Sequence, residues 1–312
     1  MQNFAPIALF VYNRPEHTRR TIKFLQQNLL ADESRLFVFS DGPKNGDEKA
    51  VAEVRELIHN VDGFKSVEVI EREQNRGLAN SIIDGVTKLV KEYGKVIVFE
   101  DDLISSPYTL QYFNDALQRY ESDERVMHIG AYMYPIDRPG LPESFFLRST
   151  SSWGWATWNR AWDYFEPDID KLMSQFDSRL KYEFEMEGAM NYWKHMRQFK
   201  SGKNNSWAIR WYASVFLKKG LSLYPTKSLI DNIGHDGSGV HSGVNDIYKV
   251  TINRTPVSQF PPMVTEDKKA FSVVKDFLQN RKGSLYQRGM RYINQLFSGV
   301  RKYPSLFSDR QP

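Results

Sequence analysis

The sequence predicts an α/β fold: a mostly parallel, Rossmann-like sheet flanked by helices, with a helical extension at the C-terminus. Three observations predict it. Short apolar runs alternate with amphipathic stretches of helical length through the first hundred residues, the pattern of βαβ units. The run Val96-Ile97-Val98-Phe99 is unbroken and rich in β-branched side chains, as expected of a strand covered on both faces. Polar residues follow each apolar run, at turns that right-handed crossovers bring to one edge of the sheet.

In order, residues 7–12 read as a strand, Asn13-Arg14-Pro15 as its turn and 16–30 as an amphipathic helix. Residues 36–40 form a second strand ending at Asp41-Gly42-Pro43, followed by a helix over 47–60. Residues 67–71 form a third strand, Gln74-Asn75-Arg76-Gly77 a turn, and 78–93 a helix leading to the fourth strand at 96–99. Beyond 105 the pattern loosens. Helices are expected over 107–120, 183–200 and 206–219, and strands over 126–130 and 221–224. An aromatic loop from Ser149 enters a helix carrying Trp155, Trp158 and Trp162, whose spacing points two of them at the core. Residues 232–243 form a glycine-rich loop.

The fourth strand runs directly into Glu100-Asp101-Asp102. In open α/β sheets, ligands bind past the carboxyl ends of the strands. Oxygen donors there suit a hard cation, Mn²⁺ or Mg²⁺. Strand alternation puts Glu100 and Asp102 on one face and Asp101 on the other. The same edge gathers Asn13, Arg14, Asp41, Asn75 and Arg76. An arginine fork suits phosphate oxygens, and a helix opening at Asn75-Arg76-Gly77 can face an anion.

Composition narrows the classes. A 41% hydrophobic, 26% charged chain of 312 residues is ordinary for a globular protein with a large core. The absence of cysteine excludes disulfides and thiolate metal sites. No run approaches the roughly 18 apolar residues of a spanning helix, and a first strand starting near Pro6 leaves little room for a leader, so a cytoplasmic protein is expected. The net charge of +4 is uneven. Residues 275–302 hold seven basic residues against Asp276 alone, so the first 274 residues are slightly acidic, which argues against a nucleic-acid-binding main domain. In that basic stretch Leu285, Tyr286, Met290, Ile293, Leu296, Phe297 and Val300 recur at helical spacing. Such a helix suits either an anionic membrane surface, at the inner face of the plasma membrane, or packing on the main domain with its basic face in water.

The ordered set Tyr12-Asn13-Arg14, Phe39-Ser40-Asp41, Asn75-Arg76-Gly77-Leu78-Ala79-Asn80 and Glu100-Asp101-Asp102 resembles the GT-A glycosyltransferases. Its Glu-Asp-Asp form resembles the N-acetylglucosaminyltransferase I-like group and related bacterial sugar transferases. The resemblance spans roughly residues 5–245. It implies inverting transfer from a nucleotide sugar, UDP-linked, to a glycan or lipid-linked glycan acceptor. Asp102 is then the metal ligand, Glu100 and Asp101 contact ribose and base, Asp41 binds the uracil and Arg14 lies near the donor. Donor contacts are also expected from Tyr12, Asn13, Asn75, Arg76, Gly77 and Asn80. The late glycine-rich loop supplies His235, to the metal, and His241, to the donor. Trp153 and Gly154, at the end of the aromatic loop, are expected at the donor sugar or acceptor.

The resemblance breaks at Trp207-Ala208, where the family has an acid after the tryptophan. A catalytic base must then come from Asp236, Asp163, Glu187 or Asp231, with Asp236 favoured by its place in the glycine-rich loop. The domain division expected is a transferase domain over 1–270, with a nucleotide-sugar half (1–105) and an acceptor half (106–270), and a basic tail over 271–312. Two rivals remain. A sugar-phosphate nucleotidyltransferase wants a glycine-rich, basic loop after the first strand, where this chain has Tyr12-Asn13-Arg14-Pro15. A non-catalytic sugar-binding relative is motivated by Ala208.

Overall fold

The computed structural model describes residues 4–136, 139–235 and 246–281. Strands β1 (Ile7–Val11), β2 (Arg35–Ser40), β3 (Ser66–Glu71) and β4 (Lys95–Glu100) are parallel neighbours in the order β3-β2-β1-β4. Helices α1 (Pro15–Gln26), α2 (Glu48–His59) and α3 (Leu78–Tyr93) connect them. Val11 lies opposite Ser40, Ser40 opposite Glu71 and Phe10 opposite Glu100, so four strand ends stand level and their loops share one edge.

The alternation of these strands splits the core in two. Ile7, Leu9, Leu36, Val38, Ile97 and Phe99 face α1, α2 and α4 (Thr109–Arg119). Ala8, Phe10, Phe37, Phe39, Val96 and Val98 face α3. Burial on both faces is why β1, β2 and β4 read as unbroken apolar runs.

Past β4 the short β5 (Leu103–Ser105) leaves the main sheet and pairs antiparallel with β10 (Ile230–Asn232). The sheet continues through β8 (Trp155–Trp158), β6 (Val126–Gly130), β9 (Leu221–Pro225) and the edge strand β7 (Ser144–Leu147). Only β8 and β7 run against the rest of the sheet. The remaining helices are α5 (Asn159–Trp162), α6 (Ile169–Ser174), α7 (Ser178–Phe184), α8 (Tyr192–Lys200), α9 (Trp207–Leu217) and α10 (Lys268–Asn280).

Two expectations are corrected. Trp155–Trp158 is a strand, with Trp155 opposite Val98 and Trp158 opposite Lys95, so the two rings enter opposite cores. Trp155, Trp158 and Trp162 are all buried. The helix expected over 183–200 is two, because Met186, Glu187 and Gly188 all take positive φ, which a right-handed helix cannot hold. Helix α10 runs across position 270. Its Ala270, Phe271, Val274 and Leu278 are buried with Phe145, Leu147 and Tyr224, so residues 271–280 pack with the body. The basic stretch beyond, with its expected membrane helix, lies outside the described residues. Among the described residues no helix is long and apolar enough to cross a membrane.

Candidate active site

At the end of β4, the guanidinium of Arg14 donates through Nη2 to Asp101 Oδ1 and, at 2.9 Å, to Asp102 Oδ2. Burial opposes the Arg14 charge, but the two carboxylates outweigh it and hold its pKa above the ordinary arginine value. Burial pushes Asp101 up to about 6, with Arg14 opposing and Asp102 adding to the rise. Glu100 is pushed well above the usual carboxylate range by burial, then by Asp102 and Asp101. Among the described residues its carboxylate has no hydrogen-bond or ion-pair partner.

The chain returns to this corner after β10. Ile233 N donates to Asp102 O at 2.8 Å. A methyl group on Gly234 would stand 2.2 Å from Asp102 Oδ2 and 3.0 Å from Arg14 Nη1, so a larger residue there would have to displace the Asp102 carboxylate. The next residue, His235, lays its ring edge-on to Trp153 at 5.2 Å, and its Nε2 is buried without a hydrogen-bond partner. Trp153 also meets Tyr132 at 4.5 Å and Tyr248 at 6.1 Å, and Tyr132 donates its hydroxyl to Tyr248 O at 2.8 Å. Asp231 is buried beside this group, accepting from Val250 N at 3.2 Å. Burial raises its pKa, against the Val250 and Asn232 amides.

The other strand-end loops are laced together by carboxylates. Asp47 accepts from Tyr12 Oη at 2.7 Å and Asn13 Nδ2 at 3.0 Å, and Tyr12 Oη accepts from Lys44 N at 2.9 Å. Burial and the Asp47 bond push the Tyr12 phenol up to about 12. Asp41 accepts from the amides of Gly42, Arg76 and Gly77. Asn75 Nδ2 donates to Gly42 O at 2.8 Å and Asn80 Nδ2 to Arg76 O at 2.9 Å.

The structure therefore brings Tyr12, Asn13, Arg14, Asp41, Asn75, Glu100, Asp101 and Asp102 to one edge, with Trp153, Gly154, Asp231 and His235 entering from the second half. Others lie elsewhere. The Arg76 guanidinium turns to Asp84 at 3.4 Å, on the exposed side of α3. Asp163 follows Trp158, whose partner Lys95 opens β4, so it sits at the far edge of the sheet from the acids. Glu187 pairs with Lys275 of α10 at 2.7 Å. Ala208 packs on the Trp155–Trp207 layer. Asp236 and His241 lie outside the described residues. Asp47, Tyr132 and Tyr248 escaped the sequence reading, because no local motif marks a residue whose partners lie far along the chain.

The corner carries more negative charge than its one guanidinium neutralises: Asp102 spends only Oδ2 on Arg14, and among the described residues Glu100 has no partner. Among the described residues no three His, Cys, Asp or Glu side chains are grouped so as to hold a metal ion by themselves, so a divalent cation here would need phosphate or water to complete its shell.

Residues 7–179 match the model of glycosyl transferase family 2, more than half of the chain. Fold and match together make this a GT-A glycosyltransferase, with the acid corner at the carboxyl ends of its parallel strands. The chain belongs to glycosyl transferase family 2. Among solved structures it is similar to the mannosyltransferase PcManGT from Pyrobaculum calidifontis in complex with GDP-Man and Mn²⁺ (12% identity, 70% of this chain and 73% of that one, TM-score 0.36). It is also similar to S. aureus TarS 1-349 (12% identity, 72% and 59%, TM-score 0.40) and to a longer TarS chain, of which it spans 36% at TM-score 0.37. A search of curated proteins finds no match.

Proposed function

We propose that this glycosyltransferase is divalent-metal-dependent and inverting, and moves a sugar from a UDP-linked donor to a glycan or lipid-linked glycan acceptor, in the manner of the N-acetylglucosaminyltransferase I-like group. The observation that carries the reading is the Glu100-Asp101-Asp102 corner, placed at the ligand edge of the sheet with more negative charge than Arg14 neutralises.

Asp102 would hold the cation, with His235 reaching it from the segment that Gly234 presses onto the corner. When bound, the ion supplies charge neutralisation for the departing diphosphate. Arg14 adds a fixed guanidinium beside the same oxygens, oriented by Asp101, and so favours the charge that grows as the glycosidic bond breaks. Glu100, with its free carboxylate, is suited to a ribose hydroxyl. Trp153, backed by the buried Tyr132, offers an aromatic surface for a pyranose face. Of the acids considered as base, Asp231 is the one supported by position among the described residues. It lies three residues before Gly234, at the aromatic wall, and its raised pKa suits an acid that must take a proton from an acceptor hydroxyl.

The test is release of UDP from a panel of UDP-sugars with Mn²⁺ and hydroxyl acceptors. Turnover should stop with EDTA and fall on the order of 100-fold or more in Asp102→Asn. No release from any donor, or unchanged release in the variant, would overturn the reading.

A further inference from the structure

We propose that α10 supports the acceptor side of the site, with Phe277 as a positioning residue that fixes Trp153 through Tyr134 and Tyr248. The consequence for acceptor binding rests on the transferase reading above; the hold on Trp153 does not.

Phe277 lies on α10 beside the buried stripe of Ala270, Phe271, Val274 and Leu278, and is itself partly buried. Its ring stacks on Tyr134 at 5.1 Å and meets Tyr248 at 6.4 Å. Both of these rings lead to Trp153. Tyr134 meets Tyr132 edge-on at 5.6 Å, and Tyr132 meets Trp153 edge-on at 4.5 Å. Tyr248 meets Trp153 directly at 6.1 Å. Tyr134 and Tyr248 lie 6.2 Å apart, so the two routes brace one another. Such separations are those of favourable offset and edge-to-face ring pairs. Among the described residues, the rings that Phe277 meets are Tyr134 and Tyr248, so it acts on Trp153 at one remove.

A brace needs a fixed base, and α10 is fastened at both ends. At its start Asp267 accepts from Ala270 N at 2.9 Å, while Asp267 N donates to Phe146 O of β7 at 3.0 Å. Near its end Lys275 pairs with Glu187 at 2.7 Å, and Arg281 Nη1 donates to Ala189 O at 3.1 Å. Both of those partners belong to the turn in which Met186 and Glu187 hold positive φ, a strained conformation for residues with a side chain. That turn receives the last two turns of α10, close to Phe277.

The acid corner is anchored differently. Arg14 holds Asp101 and Asp102, and Gly234 lies against the Asp102 carboxylate, which ties the backbone before His235 to the corner. Removing Phe277 should therefore loosen Trp153 and leave the nucleotide end of the site intact. A pyranose stacked on Trp153 gains equally in the ground state and the transition state, so losing that surface shows in KM and not in kcat.

The test uses the full chain labelled with 5-fluorotryptophan. Of its seven tryptophans, Trp153 gives the fluorine signal that is lost in Trp153→Phe. In Phe277→Ala that signal should shift more than the other six. In turnover with Mn²⁺, a UDP-sugar and a hydroxyl acceptor, the acceptor KM should rise about five- to tenfold, the scale of one lost ring pair. The kcat and the affinity for UDP should be unchanged. Phe277→Tyr, which keeps the ring, should restore both the signal and the KM. An unmoved Trp153 signal, a fall in kcat or UDP affinity in place of the KM effect, or a Phe277→Tyr variant as impaired as Phe277→Ala would each overturn the proposal. Should Phe277→Ala not fold, Phe277→Leu is read in the same way. If wild type turns over no donor, the transferase reading fails on its own, and the fluorine comparison still decides the hold on Trp153.

Discussion

The two halves of the molecule hold themselves together in different ways. Around β1–β4, the loops at the ligand edge are cross-linked by carboxylates: Asp47 to Tyr12 and Asn13, Asp41 to Arg76 and Gly77, Asp101 and Asp102 to Arg14. Around α6–α9, rings pack on rings. Phe184 stacks on Tyr212 at 4.4 Å and meets Phe176 and Phe216 at 5.0 and 5.3 Å, and Lys181 lies over Trp193 at 4.4 Å. The carboxylates fix backbone positions and leave charge at an open edge; the rings exclude water. The difference teaches how each half should answer to an added cation: packed rings offer it no charge, whereas opposed charges at an open edge can respond to one.

The largest effect should come from breaking the aromatic half. Phe184 is fully buried, and Phe184→Ala should cost about 4 kcal/mol in urea unfolding. That loss should be the same with and without Mg²⁺, since no charge is involved. Breaking the polar half by Arg14→Met should cost about 3 kcal/mol, the scale for leaving partly buried charges unpaired. Here Mg²⁺ should restore part of the stability, because a cation can take over from the guanidinium among three acids. Equal Mg²⁺ responses in the two variants, measured from the same urea titrations, would remove the distinction.

The same contrast governs what could be read in the sequence. The β1–β4 half was legible because β1, β2 and β4 are buried on both faces and its helices on one, so each announces its own period. Glu100-Asp101-Asp102 was legible because three acids end such a strand. The second half was less so. Trp155, Ala156, Thr157 and Trp158 form a strand buried on both sides, and three tryptophans across two elements imitate a helical spacing. Strands of three or four residues, such as β5 and β7, are too short to show a period at all. At the site, residue types were legible and partners were not. Asp41 was visible as an acid at a strand end, but whether it meets a ligand or a backbone amide depends on a turn 35 positions away.

The smallest effect sharpens the comparison by changing one charge without changing shape. Glu100→Gln removes the unpartnered acid at the corner. In the metal-free protein, burial, Asp102 and Asp101 hold the folded pKa of Glu100 above its unfolded value. The folded state therefore keeps the proton after the unfolded chain has lost it, and stability falls as pH rises through that interval. Wild type in EDTA should lose stability from about pH 4 upward, and Glu100→Gln should lose less. The variant should be the more stable at pH 7 and indistinguishable near pH 4, where wild-type Glu100 is already protonated. Urea midpoints across pH 4–8 check this, and adding Mg²⁺ should close the gap, since a cation at the corner stabilises the wild-type charge and has less to act on in the variant. A gap that stays constant with pH would mean that the corner tolerates its charge without a cation.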